Sequence, residues 1–551
     1  MTEIQNERSA SGGQIVVRCL QAQEVDRVFC VPGESYLPVL DALFDAAEIQ
    51  LVTCRQEGGA AMMAAADGKL RGSPGVCFVT RGPGATNASA GVHLAYQGSI
   101  PLVLFIGQVA RDTQDREAFQ EIDYRRMFGQ MAKWVAQIDS AERIPEYVQR
   151  AFAVAVGGRP GPVVLALPED MLRETATTAP APARSPASPA PAPTDISALR
   201  QRLAASCKPL LLCGEAPWTG AADLLRHWCE REQLPVAAAF RCQDICDNDS
   251  PHYIGDVGLG INPALRARIK AADLVIALGG RFSEIVTQGY SILKPGDRQQ
   301  IVYVHPSAEE LARVPASLAI NSSMANLLAA MLHGDAGQVP TERAAWLEAA
   351  RGDYLQWTTP AEIPGNLQYG NIVTWLREQL PDDAILCNGA GNYSIWVHRF
   401  FRFRRPGTQL APISGSMGYG LPAAIAAKLR YPHRPVICFA GDGCLQMTVQ
   451  ELATASHYGA NILVIVVNNG SLGTIRMHQE RNYPGRISGT ELRNPDFTAL
   501  ARAYGFHAQA VATTEEFFPA FTAAMASDKP ALLELMLPLD ALTPNLKLSD
   551  L

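Results

Sequence analysis

Short apolar runs alternate with longer stretches of helical periodicity through the first 170 or so residues. Residues 27–31, 50–53, 76–80, 102–106 and 163–167 are rich in Val, Leu, Ile and Phe, the pattern of strands buried on both faces. The helical stretches between them predict β-α alternation, hence a parallel sheet covered by helices, with binding loops at the C-terminal ends of the strands. The pattern stops at residues 175–194, where Pro and Ala alternate in a sequence that forms neither helix nor sheet; this predicts an extended linker. It then restarts. Runs 210–213, before Gly214, and 274–278, before Gly279-Gly280, read as strand-to-turn junctions of a second sheet. A charged stretch, 341–354, leads to a third unit with strands at 384–387, 436–440, 462–467 and 532–536. The expectation is an α/β chain of three Rossmann-like, doubly wound parallel-sheet domains: 1–174, the linker 175–194, 195–340 and 355–551.

Composition narrows the classes. The chain has 551 residues, of which 48% are hydrophobic and 18% charged, a balance that supports large buried cores. The net charge of −7 comes without a basic stripe, which argues against nucleic acid as a partner. Apolar runs last about 6–8 residues, too short to span a bilayer. Residues 1–8 are polar, without the apolar core of a signal peptide, so a soluble, cytoplasmic protein is expected. The 12 cysteines are scattered, several of them inside apolar runs (Cys77, Cys213, Cys438), which fits a reducing compartment. Cys242 and Cys246 lie four apart with no second ligand pair, so packing explains them better than zinc.

The strongest chemical signal lies in the third unit. The strand at 436–440 runs into Gly441-Asp442-Gly443; after 24 further residues Asn468-Asn469 closes the strand at 462–467. One helix, about 447–458, separates the two clusters, so in a parallel βαβ unit they are neighbours. Gly-Asp-Gly alone is also a common turn; the spacing to Asn-Asn carries the weight. Asp442 offers an anionic oxygen, Asn469 an amide oxygen and Ser471 a backbone carbonyl, a partial shell for Mg²⁺ that a diphosphate and water would complete. Gly443 lets the backbone approach a phosphate, beside the amides of a helix N-terminus.

Gly441-Asp442-Gly443, 24 residues and Asn468-Asn469 resemble the thiamine diphosphate motif. Residues 415–424, Gly-Ser-Met-Gly-Tyr-Gly-Leu-Pro-Ala-Ala, are similar to acetolactate synthase catalytic subunits, as are Pro32-Gly33, Glu57-Gly58-Gly59-Ala60, Gly82-Pro83-Gly84-Ala85-Thr86-Asn87, Gly107-Gln108 and Ala118-Phe119-Gln120-Glu121, in order. The resemblance covers nearly the whole chain except the linker. It implies a pyrimidine-binding domain, a central domain and a diphosphate-binding domain, with active sites between two chains of a homodimer or homotetramer. It implies cofactor contacts at Pro32, Gly33, Glu57, Gly82 and Asn87 on the pyrimidine side. On the diphosphate side it implies Gly391, Asn392 and Tyr393; Gly415 and Met417; Gly441, Asp442, Gly443 and Cys444; and Asn469, Ser471, Leu472 and Gly473. Asp442, Asn469 and Ser471 would hold the metal. Glu57 would hydrogen-bond N1′ of the aminopyrimidine, Gly415 would accept from the 4′-amine, and Met417 would bend the cofactor beneath it.

The implied reaction decarboxylates a 2-oxo acid such as pyruvate and transfers the resulting carbanion to a second carbonyl compound; the alternative is a non-ligating decarboxylase or related C–C lyase. The chain departs from the synthases at several points. Glu34 stands where they carry a small residue and decarboxylases carry an acid used in proton transfer, and residues 107–134 contain no histidine. Asn392-Tyr393-Ser394 replaces a Gln-His-Gln run, and His478 replaces a channel tryptophan. Gln120 matches a residue that faces the active site. Glu34, Glu57, Gln120 and His478 are therefore the candidate catalytic residues. Gly279-Gly280-Arg281-Phe282 resembles part of a flavin site, so FAD in the central domain is a possible cofactor.

Overall fold

The computed structural model describes residues 9–294, 300–334 and 339–551. The polar segment 1–8 lies outside them. Three six-stranded parallel sheets carry the chain. The first has the spatial order Gln50–Thr53, Arg27–Cys30, Gly75–Val79, Leu102–Gln108, Pro162–Pro168, Trp134–Gln137. The third has Gln409–Leu410, Ile385–Asn388, Val436–Gly441, Leu463–Asn468, Ala531–Met536, His507–Val511. In chain order both run 2-1-3-4-6-5, a likeness that the amino-acid pattern does not reveal. The central sheet runs 3-2-1-4-5-6: Tyr253–Val257, Val236–Ala239, Pro209–Cys213, Leu274–Leu278, Gln300–His305, Leu318–Asn321.

The chain divides into two compact units. One holds residues up to 187 together with 425–430 and 448–458; the other holds the rest. In the first unit the run of small residues after Glu57 has a packing reason. Helix Glu57–Arg71 meets helix Pro83–Gln97 so closely that a Cβ on Gly91 would lie 2.4 Å from the Ala61 methyl. The helix is finished by charge and geometry: Glu57 in its first turn, Lys69 and Arg71 in its last, and Gly72 at φ 68° beyond it.

The structure corrects several boundaries. The helix expected at 447–458 begins at Asp442 and is broken into Asp442–Gln446, Val449–Glu451 and Leu452–His457, because Thr448 leaves helical dihedrals. In the linker, Thr175–Ala176 pairs antiparallel with Ala10–Ser11, and a helix starts already at Pro193, whose fixed φ suits a first helical position. Between these, 177–192 carries no helix or strand, and Ala183 N–H donates to the Ala22 carbonyl at 3.0 Å.

A charged cluster also holds the first unit together. Asp67, 1% exposed, takes Arg430 Nε at 2.9 Å and Arg27 Nη1 at 3.5 Å, and Arg430 also grips Asp26. The hydrogen bond from Arg430 is the largest influence on Asp26 and holds its carboxyl down to about 2. A depressed acid contributes stability above its ordinary value near 3.8, which is lost as pH falls toward 2. Arg430→Met leaves a buried carboxylate short of one partner and is expected to cost on the order of 3 kcal/mol in urea denaturation at pH 7. The gap between variant and wild type should shrink as pH falls from 5 to 3; a gap independent of pH would refute the ionic account.

Candidate active site

In the second unit, strands Ile385–Asn388, Val436–Gly441 and Leu463–Asn468 are adjacent and parallel, with Asn388 opposite Phe439 and Gly441 opposite Val467. That register brings the loops after all three strands to one edge. They enclose a cavity of about 250 Å³. Gly391, Asn392 and Tyr393 line it from the first loop, and Gly415 and Met417 from the segment before helix Gly420–Arg430. The motif loops bring Gly441, Asp442, Gly443 and Cys444, then Asn469, Ser471, Leu472 and Gly473. The N-terminus of helix Gly473–Asn482 stands in the wall, and Thr474 and Ile475 continue the lining.

Asp442 is the electrostatic centre. It is 3% exposed and, among the described residues, no Lys or Arg is recorded in an ion pair with it. Its oxygens accept only neutral donors: Oδ1 takes Gly443 N–H at 2.8 Å and Oδ2 takes Asn494 Nδ2 at 2.8 Å. Burial pushes its affinity for a proton up despite these bonds, the condition of a carboxylate short of positive charge. Asn494 Nδ2 also reaches Asn468 Oδ1 at 2.9 Å, and Asn468 Nδ2 donates to Glu534 at 2.7 Å. The pair Asn468-Asn469 is thus split: Asn468 is tied into the sheet while Asn469 lines the cavity, its Oδ1 accepting Ser471 N–H at 3.1 Å.

Two further ties hold the loops. Thr474 Oγ1 accepts Asn392 N–H at 3.0 Å and donates to Asn392 Oδ1 at 2.8 Å. Tyr393, 7% exposed, accepts Gly389 N–H at 3.0 Å and donates to Cys444 Sγ at 3.3 Å. Its ring lies so close to Gly441 that a Cβ there would sit 2.9 Å from Cδ1, and a Cβ on Gly443 would meet Leu472 at 2.9 Å. The residues that depart from the synthase pattern therefore brace the cavity. His478 does not line it: it is exposed on helix Gly473–Asn482, just past the buried Met477.

The first unit gathers the other predicted residues at strand ends. Glu57, half-buried, accepts Asn87 Nδ2 at 2.9 Å. Gly82, at φ 56°, packs on Gln120, itself at φ 67° with a buried, unpartnered Oε1. Pro32 and Glu34 are exposed, while a Cβ on Gly33 would lie 2.5 Å from Thr80. A residue with no sequence signal positions Glu57: Glu451, fully buried, accepts the amides of Arg55 (3.2 Å) and Gln56 (3.0 Å) just before the helix, and Thr454 Oγ1 at 2.6 Å. Asn494 was equally hidden, since no fixed spacing ties it to the motif.

Parallel strand ends that meet around a carboxylate-lined cavity define the site of an α/β enzyme. Comparison with known proteins gives the kind. Three thiamine pyrophosphate enzyme domains match: the N-terminal thiamine pyrophosphate-binding domain over 10–127, the central domain over 196–331 and the C-terminal thiamine pyrophosphate-binding domain over 389–535. The acetolactate synthase isozyme 2 large subunit of Escherichia coli is 31% identical over 95% of both chains. The acetolactate synthase large subunit of Lactococcus lactis is 32% identical over 92% of this chain and 89% of its own, and the mitochondrial catalytic subunit of Saccharomyces cerevisiae 30% over 95% and 80%. The chain belongs to the thiamine pyrophosphate enzymes and is similar throughout to acetolactate synthase large subunits.

Removing Glu451 tests the support under Glu57. Glu451→Ala strands two partly buried amides and is expected to lower stability by about 2 kcal/mol in urea. A change below about 0.5 kcal/mol would show that solvent replaces the carboxylate.

Proposed function

We propose that the chain is a thiamine diphosphate- and Mg²⁺-dependent carboligase of the acetolactate synthase kind. It would decarboxylate a 2-oxo acid such as pyruvate and join the acyl fragment to a second carbonyl compound. The observation that carries the reading is the buried Asp442 carboxylate without a cationic partner in a cavity that also offers Asn469 and Ser471. This set of carboxylate, amide and carbonyl oxygens suits Mg²⁺ bridging to a diphosphate. Thiamine diphosphate supplies a cationic thiazolium that acts as electron sink when a 2-oxo acid loses CO₂.

The chain's own residues orient and protonate. Asp442, Asn469 and the Ser471 carbonyl would hold the metal. Gly441, Gly443 and Cys444, with Leu472 and Gly473, would contact the diphosphate beside Gly391, Asn392 and Tyr393. Gly415 and Met417 would set the bend between the two rings. Glu57, kept in place by Asn87, would exchange a proton with the pyrimidine, and Pro32, Gly33 and Gly82 would shape that end. Gln120, with an unpartnered amide oxygen beside Gly82, suits contact with substrate. The exposed His478 is the weakest candidate and would act only at a channel mouth.

Completion of each site between two copies, in a homodimer or homotetramer, is supported by exposed apolar side chains next to site residues: Phe119, 74% exposed, beside Gln120, and Leu37, 57% exposed, just after Glu34. No described helix is long and apolar enough to cross a membrane. Cys77, Cys213 and Cys438 are buried thiols within strands, as in a protein of a reducing, cytoplasmic setting. FAD, if bound, would place its diphosphate at the switch point of the central sheet. There Glu215 Oε2 takes the Arg281 amide at 3.0 Å, so FAD would have to displace that contact, and a Cβ on Gly214 would lie 2.2 Å from Gly280 Cα.

The second reading is decarboxylation to an aldehyde, favoured by the exposed acid Glu34 at a strand end. Incubation with pyruvate alone, and with pyruvate plus an aldehyde, separates the two: a 2-hydroxy ketone or 2-aceto-2-hydroxy acid is expected, and acetaldehyde as sole product would overturn the ligase. Glu57→Gln should lower kcat by about 10²–10⁴-fold while leaving cofactor binding in place. Asp442→Asn should abolish Mg²⁺-dependent cofactor binding while the cofactor-free protein still folds.

A further inference from the structure

Beside the cofactor cavity the same unit encloses a second void of about 380 Å³. Residues 390–392, Gly415 and Thr474 line both, so the loop that would touch the diphosphate on one face borders this void on the other. Its walls come from the ends of strands Val236–Ala239 and Tyr253–Val257 and from helix Tyr393–Phe400.

Two guanidiniums line it, and neither is recorded in an ion pair among the described residues. Arg241 is 3% exposed; its Nη1 donates to the Pro412 carbonyl, its Nε has no partner, and its Cζ lies 4.7 Å over the Phe240 ring. Its backbone sits at φ 61°, a conformation a long side chain adopts only where the surroundings impose it. Arg399 lies 3.6 Å over the Trp357 ring, and its hydrogen bonds go to neutral acceptors, the Trp357 carbonyl and Asn545 Oδ1, both at 2.7 Å. Burial lowers each guanidinium only to about 10, so both stay charged at neutral pH. The single acid in the lining, Asp256, is pushed by burial up to about 7 and is therefore partly neutral there. His398 holds Nδ1 2.8 Å from Gln243 Oε1 and leaves a buried Nε2 without a partner.

A buried charge without a counterion is expensive unless a ligand supplies one. We propose that this void is an oxyanion site, with Arg241 as its principal receptor, for a carboxylate or phosphate carried by a small molecule. Two sources share that chemistry. One is a distal acid group on the carbonyl substrate held in the adjoining cavity, a reading that rests on the proposed function; the other is the phosphate of a nucleotide, which does not.

Calorimetric titration of the full chain, loaded with thiamine diphosphate and Mg²⁺, uses glutarate, inorganic phosphate and ADP as probes. Wild type is expected to bind at least one of them. Arg241→Met should bind that probe roughly 10- to 100-fold more weakly, with Arg241→Lys between. If Arg241→Met does not fold, Leu259→Glu sets a like charge at an exposed position of the same lining and should weaken the same probe. Failure of all three probes to bind wild type, or equal binding by the variants, overturns the proposal. Turnover then separates the sources. A preference for 2-oxoglutarate over 2-oxopentanoate that disappears in Arg241→Met identifies a substrate carboxylate; ADP binding that disappears while substrate preference is unchanged identifies a nucleotide. Probe binding that depends on Arg241, in a protein that turns over no 2-oxo acid, would sink the proposed function and leave the oxyanion site standing.

Discussion

A carboxylate withdrawn from water must be met by positive charge or by protons, and in the third domain the protein meets Asp442 with neither. Hydrogen bonds from Asn494 and the Gly443 amide soften the cost without removing it, and burial raises the residue's affinity for a proton. The surrounding order follows from keeping that oxygen pair fixed. Asn494 donates to both Asp442 and Asn468, which makes Asn468 Oδ1 an acceptor and sends its own amide protons to Glu534 on the next strand. Successive residues at a strand end point to opposite sides, so anchoring Asn468 within the sheet leaves Asn469 to the cavity. A flexible loop with the same residues would let Asp442 turn toward water and relieve the cost of its burial.

The first and third domains share one strand order yet use it differently. In the first, the carboxylate proposed to act, Glu57, opens the helix after the second strand and is steadied by Asn87 and by amides that Glu451 caps. In the third, Asp442 opens the helix after the third strand. The central sheet has a different order, 3-2-1-4-5-6, and at its switch point Glu215 accepts the Arg281 amide. The scaffold supplies parallel strand ends; the identity of the residue after each strand decides the chemistry.

Much of this was written in apolar periodicity. Strands such as Leu102–Gln108 and Val436–Gly441 are buried at every position and stand out as unbroken apolar runs. Most of the other strands lack so plain a mark. Trp134–Gln137 buries one of its four residues, Gln409–Leu410 is two residues long, and Val236–Ala239 reads Val-Ala-Ala-Ala, a composition equally at home in a helix. Gln300–His305 is an ordinary β-branched run that the same reading should have found. In the site, spacing located Asp442 and Asn469 because both follow buried strands. Asn494 and Glu451 act through contacts made only once the chain is folded, and no local pattern announces them.

What no sequence pattern encodes is the absence of a partner. Asp442 and Arg241 are both ordinary letters; their meaning comes from the neighbours that fail to neutralise them. They border adjoining cavities that share the 390–392 loop, and their unmet charges have opposite sign. Asp67, Arg430 and Arg268 elsewhere find close partners, whereas these two charges stand without a counterion among the described residues, at a cost in stability. The economical explanation is that ligands finish the pairing: a cation at Asp442 and an anion at Arg241. The loop 390–392 separates the two, so a molecule reacting at the first cavity lies within the field of the second. Where the anion is an acid group of the substrate itself, charge at Arg241 would select among carbonyl compounds that the cofactor alone would treat alike.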